Sequence, residues 1–237
     1  MANSMKTSLP ADFFSASDAW KGAYVGAHAG VLAMGDVANP GQNAALEAQK
    51  EELEADLRSR FAGMNRGSLR DHPILRAYAD HYRRFDKTYH VQLQLESIIL
   101  KGKPIPSTAA LVEAMFMAEM KSLLLTAGHD LDVVQAPLTL DVARGTETYI
   151  LLRGTAQAPK SGDMVIADGE GIISSVVYGP DQRTQIQPET TRAVFTVYGP
   201  AGISDSAIES HLHEIVKYVR LIAPVANVEL LKVYPAE

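Results

Sequence analysis

The chain has no cysteine among its 237 residues. This absence excludes disulfides, zinc sites built from thiolates, and a cysteine nucleophile. The chain also lacks an apolar run of roughly 18 residues or more, so no transmembrane helix and no membrane contact are expected. Its first residues, MANSMKTSLPADFF, lack the apolar centre of a secretory signal. Together these absences favour a cytoplasmic protein.

Positive charge is in deficit, with 22 Lys and Arg against 28 Asp and Glu and a net charge of −6. Phosphate neutralisation supplies most of the non-specific affinity for nucleic acid, so this balance counts against a general RNA binder. No motif supports binding to DNA. Basic side chains are concentrated at residues 58–70 and 81–87. They form either a local edge that binds phosphate or carboxylate, or solvated groups that complement helix dipoles.

Motifs of established chemistry are also missing. The sequence contains no Walker loop, no GxSxG elbow, no HExxH and no dinucleotide-binding GxGxxG. His211 and His213 are two residues apart on a predicted helix, so their side chains point to different faces and a shared metal is not expected. We therefore expect no cofactor and no metal site.

The residue patterns that are present predict an α+β fold, with most helices in the first half and most strands in the second. Residues 1–12 resemble a loose leader. Helices are predicted at Asn43–Phe61, from Asp71 through Phe85, at Tyr89–Leu100, from Ser107 to about Leu125, and at Ser204–Arg220. One or two strands are predicted in Ala19–Met34, with glycines that allow close backbone approach, and others at Leu138–Ala143, Thr148–Leu152, Met164–Ala167, Ile172–Tyr178, Thr184–Ile186, Ala193–Tyr198 and Ala226–Tyr234.

The helix that follows Ser107 is almost entirely apolar, so it is predicted to be central. Glu113, Glu119 and Lys121 are its charged exceptions. Charges on a buried helix are usually paired or belong to a site. Glu113 and Lys121 share a helix face. A structural ion pair and contact with a ligand both remain open.

Two polar segments are further candidates. The predicted turn Gly128–Asp132 combines the imidazole of His129 with the carboxylates of Asp130 and Asp132, which could bind a cation, orient a water or hold an ammonium group. The alternative is a simple helix-terminating turn. In the predicted hairpin loop that contains Asp181 and Arg183, the guanidinium could fix a carboxylate or phosphate, or form an exposed charge pair.

Read in order, segments between Tyr78 and Val197 resemble the B3/B4 domain of the bacterial phenylalanyl-tRNA synthetase beta subunit and its free-standing relatives. The segments that carry the resemblance are Leu95-Glu96-Ser97, Ala110-Leu111-Val112-Glu113, Asp130-Leu131-Asp132, Leu140 to Glu147, Gly162 to Asp168 and Gln185 to Thr191.

This resemblance implies a helical half packed on a mixed or antiparallel sheet around a central pocket. It implies a B3/B4-like domain at residues 78–237, with residues 1–77 as an extension packed on it in one integrated unit. In the synthetase, the domain hosts hydrolytic editing of wrongly charged tRNA. Met115 and Phe116 stand where editing domains carry Thr-Asn, and Gly179-Pro180-Asp181-Gln182 replaces the Gly-Gly-Glu that selects a tyrosine hydroxyl.

The leading hypothesis is therefore a protein that binds an amino-acid-type group, either free or attached to tRNA, with or without hydrolysis of the ester. The alternative is a small-molecule binding protein or enzyme on the same scaffold without tRNA. Glu113, Asp130 and Arg183 are expected to converge on one enclosed cavity. The predicted catalytic residues are His129 and Asp130, and the predicted substrate-binding residues are Glu113, Met115, Phe116, Glu119, Asp132, Asp181, Arg183 and Thr184.

Overall fold

A computed structural model describes residues 9–236, so most of the predicted leader lies outside the described residues. Within this range the chain forms seven helices and eleven strands. The helices are α1 (Asp18–Ala23), α2 (Ala44–Arg60), α3 (Arg66–Leu69), α4 (Pro73–Arg83), α5 (His90–Ile99), α6 (Ala110–Ser122) and α7 (Asp205–Ile222). The strands are β1 (Phe14–Ala16), β2 (His28–Gly35), β3 (Thr126–Asp130), β4 (Leu138–Val142), β5 (Tyr149–Ile150), β6 (Ala156–Gln157), β7 (Met164–Asp168), β8 (Gly171–Ser175), β9 (Gly179–Pro180), β10 (Arg192–Gly199) and β11 (Asn227–Pro235).

A four-stranded antiparallel sheet, in the order β11-β2-β10-β3, forms the centre of the molecule. Strands β2 and β10 are buried along almost their whole length, as expected for strands covered on both faces. Because β2 pairs with both β10 and β11, residues before position 78 supply an inner strand of this sheet.

Helices α6 and α7 pack against each other and against the four-stranded sheet. The backbone of Gly30 in β2 allows α7 to approach closely, because a Cβ atom there would lie 2.4 Å from Cγ2 of Ile208. Close backbone approach was predicted for this glycine-rich segment. The candidate site described below lies beside α6 and β3.

A five-stranded mixed sheet has the order β1-β4-β7-β8-β9, with β1 parallel to β4 and the other pairs antiparallel. Strands β5 and β6 form a small separate hairpin. The predicted α+β class, with helices packed on mixed and antiparallel sheets, is thus confirmed. Among residues 9–236, no helix combines the length and apolar character needed to cross a membrane.

Several local predictions agree with the structure because they depended on local signals. Asn43 caps α2 by accepting a hydrogen bond from the amide of Leu46 at 3.0 Å, and Ser204 caps α7 through the amide of Ala207. Pro73 occupies the first turn of α4. Ser107, however, does not cap α6; its hydroxyl accepts a hydrogen bond from Nζ of Lys50 at 2.9 Å, and the helix begins at Ala110.

Three predictions of secondary structure are wrong. Residues 18–23 form helix α1 rather than a strand, and its first turn is capped by Ser17. The predicted turn at Gly128–Asp132 is mostly strand β3, because it pairs with β10, with Gly128 opposite Phe195. Residues 184–186 are irregular rather than a strand, since Thr184 is held by side-chain contacts described below.

Candidate functional site

A cleft of about 350 Å³ lies beside α6 and β3, and we call it the Glu119 cleft. Val112, Met115 and Glu119 line it from α6, where spacings of three and four residues place side chains on one helix face. Met115 and Glu119 were both predicted site residues. The remaining lining residues are His90, Thr126, Ala127, Gly128, Leu152, Pro180, Gln185 and Ile186.

Glu119 is the acidic residue of the cleft lining and is only 4% exposed. Its Oε1 accepts a hydrogen bond from the amide of Thr126 at 2.7 Å, whereas Oε2 has no hydrogen-bond partner within residues 9–236. Burial raises the pKa of Glu119 to about 8, and the Thr126 amide offsets only part of this effect. At pH 7 the side chain is therefore mainly a neutral acid, able to donate a hydrogen bond or to ionise beside a cation.

A buried hydrogen-bond network supports β3 behind Glu119. The hydroxyl of Thr126 lies 2.7 Å from Nε2 of His211, and Nδ1 of the same ring lies 2.7 Å from the hydroxyl of Ser122. Because the Ser122 hydroxyl donates to the carbonyl of Ala118, its oxygen is free to accept from Nδ1–H, which leaves Nε2 to accept from Thr126. Burial lowers the pKa of His211 to about 3, so the ring is neutral and ties α6, α7 and β3 together.

The walls of the cleft are mainly apolar and tightly spaced at Gly128. A Cβ atom at this position would lie 3.0 Å from Cδ1 of Ile186 and 3.0 Å from Sδ of Met115. Glycine therefore keeps open a space that any side chain would begin to fill.

His90, the first residue of α5, forms part of the cleft lining but is itself an exposed residue. Its ring packs against the rings of Tyr82 and Tyr89, with centroid separations of 6.2 and 5.8 Å. Burial on this side lowers the pKa of His90, so the imidazole is mainly neutral at pH 7 and can accept a proton.

Glu113 lies outside the cleft lining, although it is on the same helix as Glu119. Its Oε1 is 2.7 Å from Nζ of Lys50, and its Oε2 accepts a hydrogen bond from the amide of Thr108. Lys121, in turn, pairs with Glu214 at 2.8 Å. The structure therefore places both Glu113 and Lys121 in structural ion pairs, which is the first of the two alternatives.

His129 and Asp130 also lie outside the Glu119 cleft lining. Nδ1 of His129 is 2.7 Å from the hydroxyl of Thr184, which donates to Oδ1 of Asp181. The ring is fully buried, which lowers the pKa of His129 to about 3. Asp130 accepts hydrogen bonds from the Thr190 hydroxyl at 2.6 Å and the Asp132 amide at 3.0 Å. These contacts fasten the loop before β10 to the end of β3, and the catalytic roles of the pair stay predictions.

Arg183 lies in a different cleft of about 280 Å³, together with Asp181. Its guanidinium is 2.8 Å from Asp168, 3.4 Å from Glu170 and 3.8 Å from Asp181. Three carboxylates already face this cation, so the geometry does not favour the predicted anion clamp. Neither of these two clefts is lined by more than one of Glu113, Asp130 and Arg183, and their convergence on one cavity stays a prediction.

The last two predicted residues are also outside the Glu119 cleft lining. Asp132 pairs with Arg192 at 3.2 Å on the surface, and Phe116 packs against the hydrophobic core. Among residues 9–236, no group of three or more His, Asp or Glu side chains is arranged to hold a metal.

Comparison with known proteins identifies the family. A model described as B3/4 domain matches residues 75–219, which is more than half of the chain. The chain belongs to the B3/4 domain family. A search of curated proteins finds no match.

Among solved structures, this B3/4 protein is similar to an N-terminal fragment of the phenylalanyl-tRNA synthetase beta subunit from Pyrococcus horikoshii. The sequence identity is 13% and the TM-score 0.44. The match covers 53% of this chain and 46% of the fragment, so the chain spans less than half of that structure's length.

Four polar residues of this B3/4 domain belong to the candidate site without being among the predicted site residues: His90, Thr126 and Gln185 in the cleft lining, and His211 behind it. The spacing of Val112, Met115 and Glu119 could have identified the helix face. No local signal marks His90, because the other residues of the cleft lining are distant from it in sequence.

Proposed function

We propose that this B3/4 protein binds the aminoacyl group at the 3′ end of a tRNA in the Glu119 cleft and hydrolyses its ester bond. The observation that carries the proposal is a buried, mainly neutral acid in the lining of a mostly apolar cleft. Such a site combines a group that recognises an amine with walls that accommodate a side chain.

The size and chemistry of the cleft suit an amino-acid-type ligand. Its volume of about 350 Å³ is near the lower end of the range for ligand pockets. Met115, Val112 and Ile186 provide apolar surface for the ligand's side chain. Glu119 provides a carboxyl group for the α-ammonium, which becomes a charge-assisted contact once the acid ionises.

Binding of an ammonium group has a consequence for protons. With a pKa of about 8, Glu119 is about 90% protonated at pH 7, so pairing with an ammonium releases close to one proton. The affinity for an ammonium ligand therefore rises as the pH increases from 6 to about 8. Calorimetry in buffers of different ionisation enthalpy counts this proton directly.

Hydrolysis requires an oriented water and a group that accepts its proton. His90 supplies a mainly neutral imidazole in the cleft lining. In the proposed step, His90 accepts a proton from water, and the water oxygen forms a bond to the ester carbonyl carbon. The bond from that carbon to the ribose oxygen then breaks, and the ribose oxygen takes up the proton as a hydroxyl group.

The test is deacylation of individual aminoacyl-tRNAs by the purified protein. We expect the protein to hydrolyse at least one species, and Glu119→Gln to slow that reaction by about 10- to 100-fold, as for loss of a charged hydrogen bond. Glu214→Gln, the same chemical change outside the cleft, is the control. If all charged species stay intact at micromolar protein, the hydrolytic proposal fails.

A second candidate function is binding of a free amino acid without tRNA, favoured by the net charge of −6. A thermal melt with free amino acids and with amino-acid methyl esters separates the two candidates. Stabilisation by free amino acids, without binding of tRNA in a filter assay, supports the second.

A further inference from the structure

A second concave surface lies where α3, α4 and the start of α5 meet, and we call it the basic groove. Its volume is about 550 Å³, larger than that of the Glu119 cleft. Most of its lining residues are polar or charged. They are Arg66, Arg70, Asp71, Arg76, Ala79, Asp80, Arg83, Lys87, Thr88, Tyr89 and Gln92.

The groove concentrates positive charge in an acidic protein. Its lining contains five basic and two acidic side chains, a local balance of +3 where the whole chain has −6. Such a concentration attracts anions locally, although the net charge of the whole chain is negative. All five basic residues are exposed, so their charges remain available to a ligand.

Two of the five cations have acidic partners, and three do not. Arg66 pairs with Glu96 at 3.0 Å, and Arg83 pairs with Asp80 at 2.8 Å. For the other three no carboxylate of residues 9–236 lies within ion-pair distance. These three are Arg70, Arg76 and Lys87.

Exposed helix cations are usually solvated or complement a dipole, and Arg83 at the end of α4 fits that reading. Arg70 follows the last residue of α3, where positive charge is also favourable. Arg76 differs, because it lies in the first turn of α4, which begins at Pro73, and positive charge at a helix N-terminus is unfavourable unless an anion lies nearby. The position of Arg76 is thus better explained by a negatively charged ligand.

The groove and the Glu119 cleft are both lined by residues at the start of α5. Tyr89 and Gln92 line the groove, whereas His90, between them in sequence, lines the cleft. A ligand that occupies both would present an anionic part to the groove and an uncharged or cationic part to the cleft.

We propose that the basic groove binds backbone phosphates of an RNA strand whose aminoacylated end enters the Glu119 cleft. The choice of RNA rests on the proposed function, since the groove chemistry alone fits any phosphate. Arginine is suited to this task because its planar guanidinium donates two hydrogen bonds to one phosphate.

The test measures binding of uncharged tRNA, which lacks the aminoacyl group, to the full chain by filter binding at several salt concentrations. With three free cations, log affinity is expected to fall with log salt at a slope of about −2, or about 20-fold between 50 and 200 mM. The double variant R70E/R76E is expected to lower affinity at least about tenfold and to reduce the slope to about −0.7.

The matched control is K101E/K103E, which makes the same change in charge on two exposed lysines beyond the other end of α5, about 15 Å away. The control is expected to bind tRNA within about twofold of the unaltered protein. Thermal melts verify that both double variants are folded. If R70E/R76E binds tRNA as well as the control does, the proposal is overturned.

Inorganic phosphate is the second probe. Stabilisation of the protein by phosphate in the melt, without binding of tRNA, would overturn the RNA assignment and leave a small-anion site. The two proposals have separate readouts. Unchanged deacylation by Glu119→Gln would show failure of the cleft proposal, whereas unchanged binding of uncharged tRNA by R70E/R76E would show failure of the groove proposal.

Discussion

The substitution Glu119→Gln is expected to stabilise the protein in a way that depends strongly on pH. Glu119 is 4% exposed, and burial raises its pKa from 4.5 to about 8. Gln has nearly the same shape, keeps a carbonyl oxygen for the amide of Thr126, and does not ionise. The difference between the two proteins therefore isolates the ionisation of this one carboxyl group.

The sign follows from the raised pKa. Between pH 4.5 and 8 the folded protein holds the proton of Glu119 while the unfolded chain releases it, so the stability of the unaltered protein falls as the pH rises. The cost relative to Gln is about 1 kcal/mol at pH 5, about 3 kcal/mol at pH 7 and about 4 kcal/mol at pH 8. Below pH 4 the difference disappears, because the acid is protonated in both states.

Urea denaturation of both proteins at pH 5, 7 and 8 measures this difference directly. Other titrating groups are common to the two proteins and cancel in the subtraction. A gap in unfolding free energy that is the same at the three pH values would refute the assignment of a raised pKa to Glu119. Glu119 would then be ionised at pH 7, and binding of an ammonium group would release no proton.

Three further outcomes are expected. Asp163 is fully buried, and its pKa is raised to about 7. Asp163→Asn should therefore reduce the loss of stability between pH 5 and 8 by about 2–3 kcal/mol, as measured by urea titration. An unchanged loss in the variant would contradict the raised pKa. Glu113→Gln leaves Glu47 as the only carboxylate paired with the buried ammonium of Lys50 among residues 9–236. It should lower the unfolding free energy at pH 7 by about 2–3 kcal/mol, most of which Lys50→Met in the same chain should restore. Gly128→Ala should abolish the ligand-induced shift in melting temperature at a stability cost of about 1–3 kcal/mol, and a normal shift would place the ligand outside the Glu119 cleft.

Elements with local signals could be predicted from the sequence. Helices α2, α4 and α7 begin at Asn43, Pro73 and Ser204 or one residue later, where a cap or a first-turn proline marks the start. Strand β3 could not be predicted, because Gly128, Asp130 and Asp132 are typical of turns. Its pairing with β10, about 65 residues later, overrides these preferences.

The candidate site was predictable on one helix only. The apolar character of α6 indicated a central helix, and Met115 and Glu119 are four residues apart on the face that lines the cleft. Glu113 is six residues from Glu119, which is about 240° around the helix axis, so the two acids face different surroundings. The charge pattern of α6 alone therefore does not separate Glu113, which pairs with Lys50, from Glu119, which lines the cleft.

Residues 128–132 and 181–184 show a second reason why the site could not be predicted in full from the sequence. Their polar side chains do come together, since Thr184 contacts both His129 and Asp181. These contacts fasten two loops, however, and the cleft that Asp181 and Arg183 line is not the Glu119 cleft. Residue types alone do not distinguish polar groups that bind each other from polar groups left open for a ligand.

Position in a cleft, rather than a shifted pKa, therefore decides which buried acid belongs to the site. Asp163 and Glu119 both have pKa values raised by burial, and both lower stability at neutral pH. Asp163 accepts a hydrogen bond from Ser175 and is completely buried, so no ligand reaches it. Glu119 lines a cleft, so a ligand's ammonium group could offset the cost of its ionisation. Of the two acids, only Glu119 is placed so that binding of a ligand could compensate for the unfavourable burial of its charge.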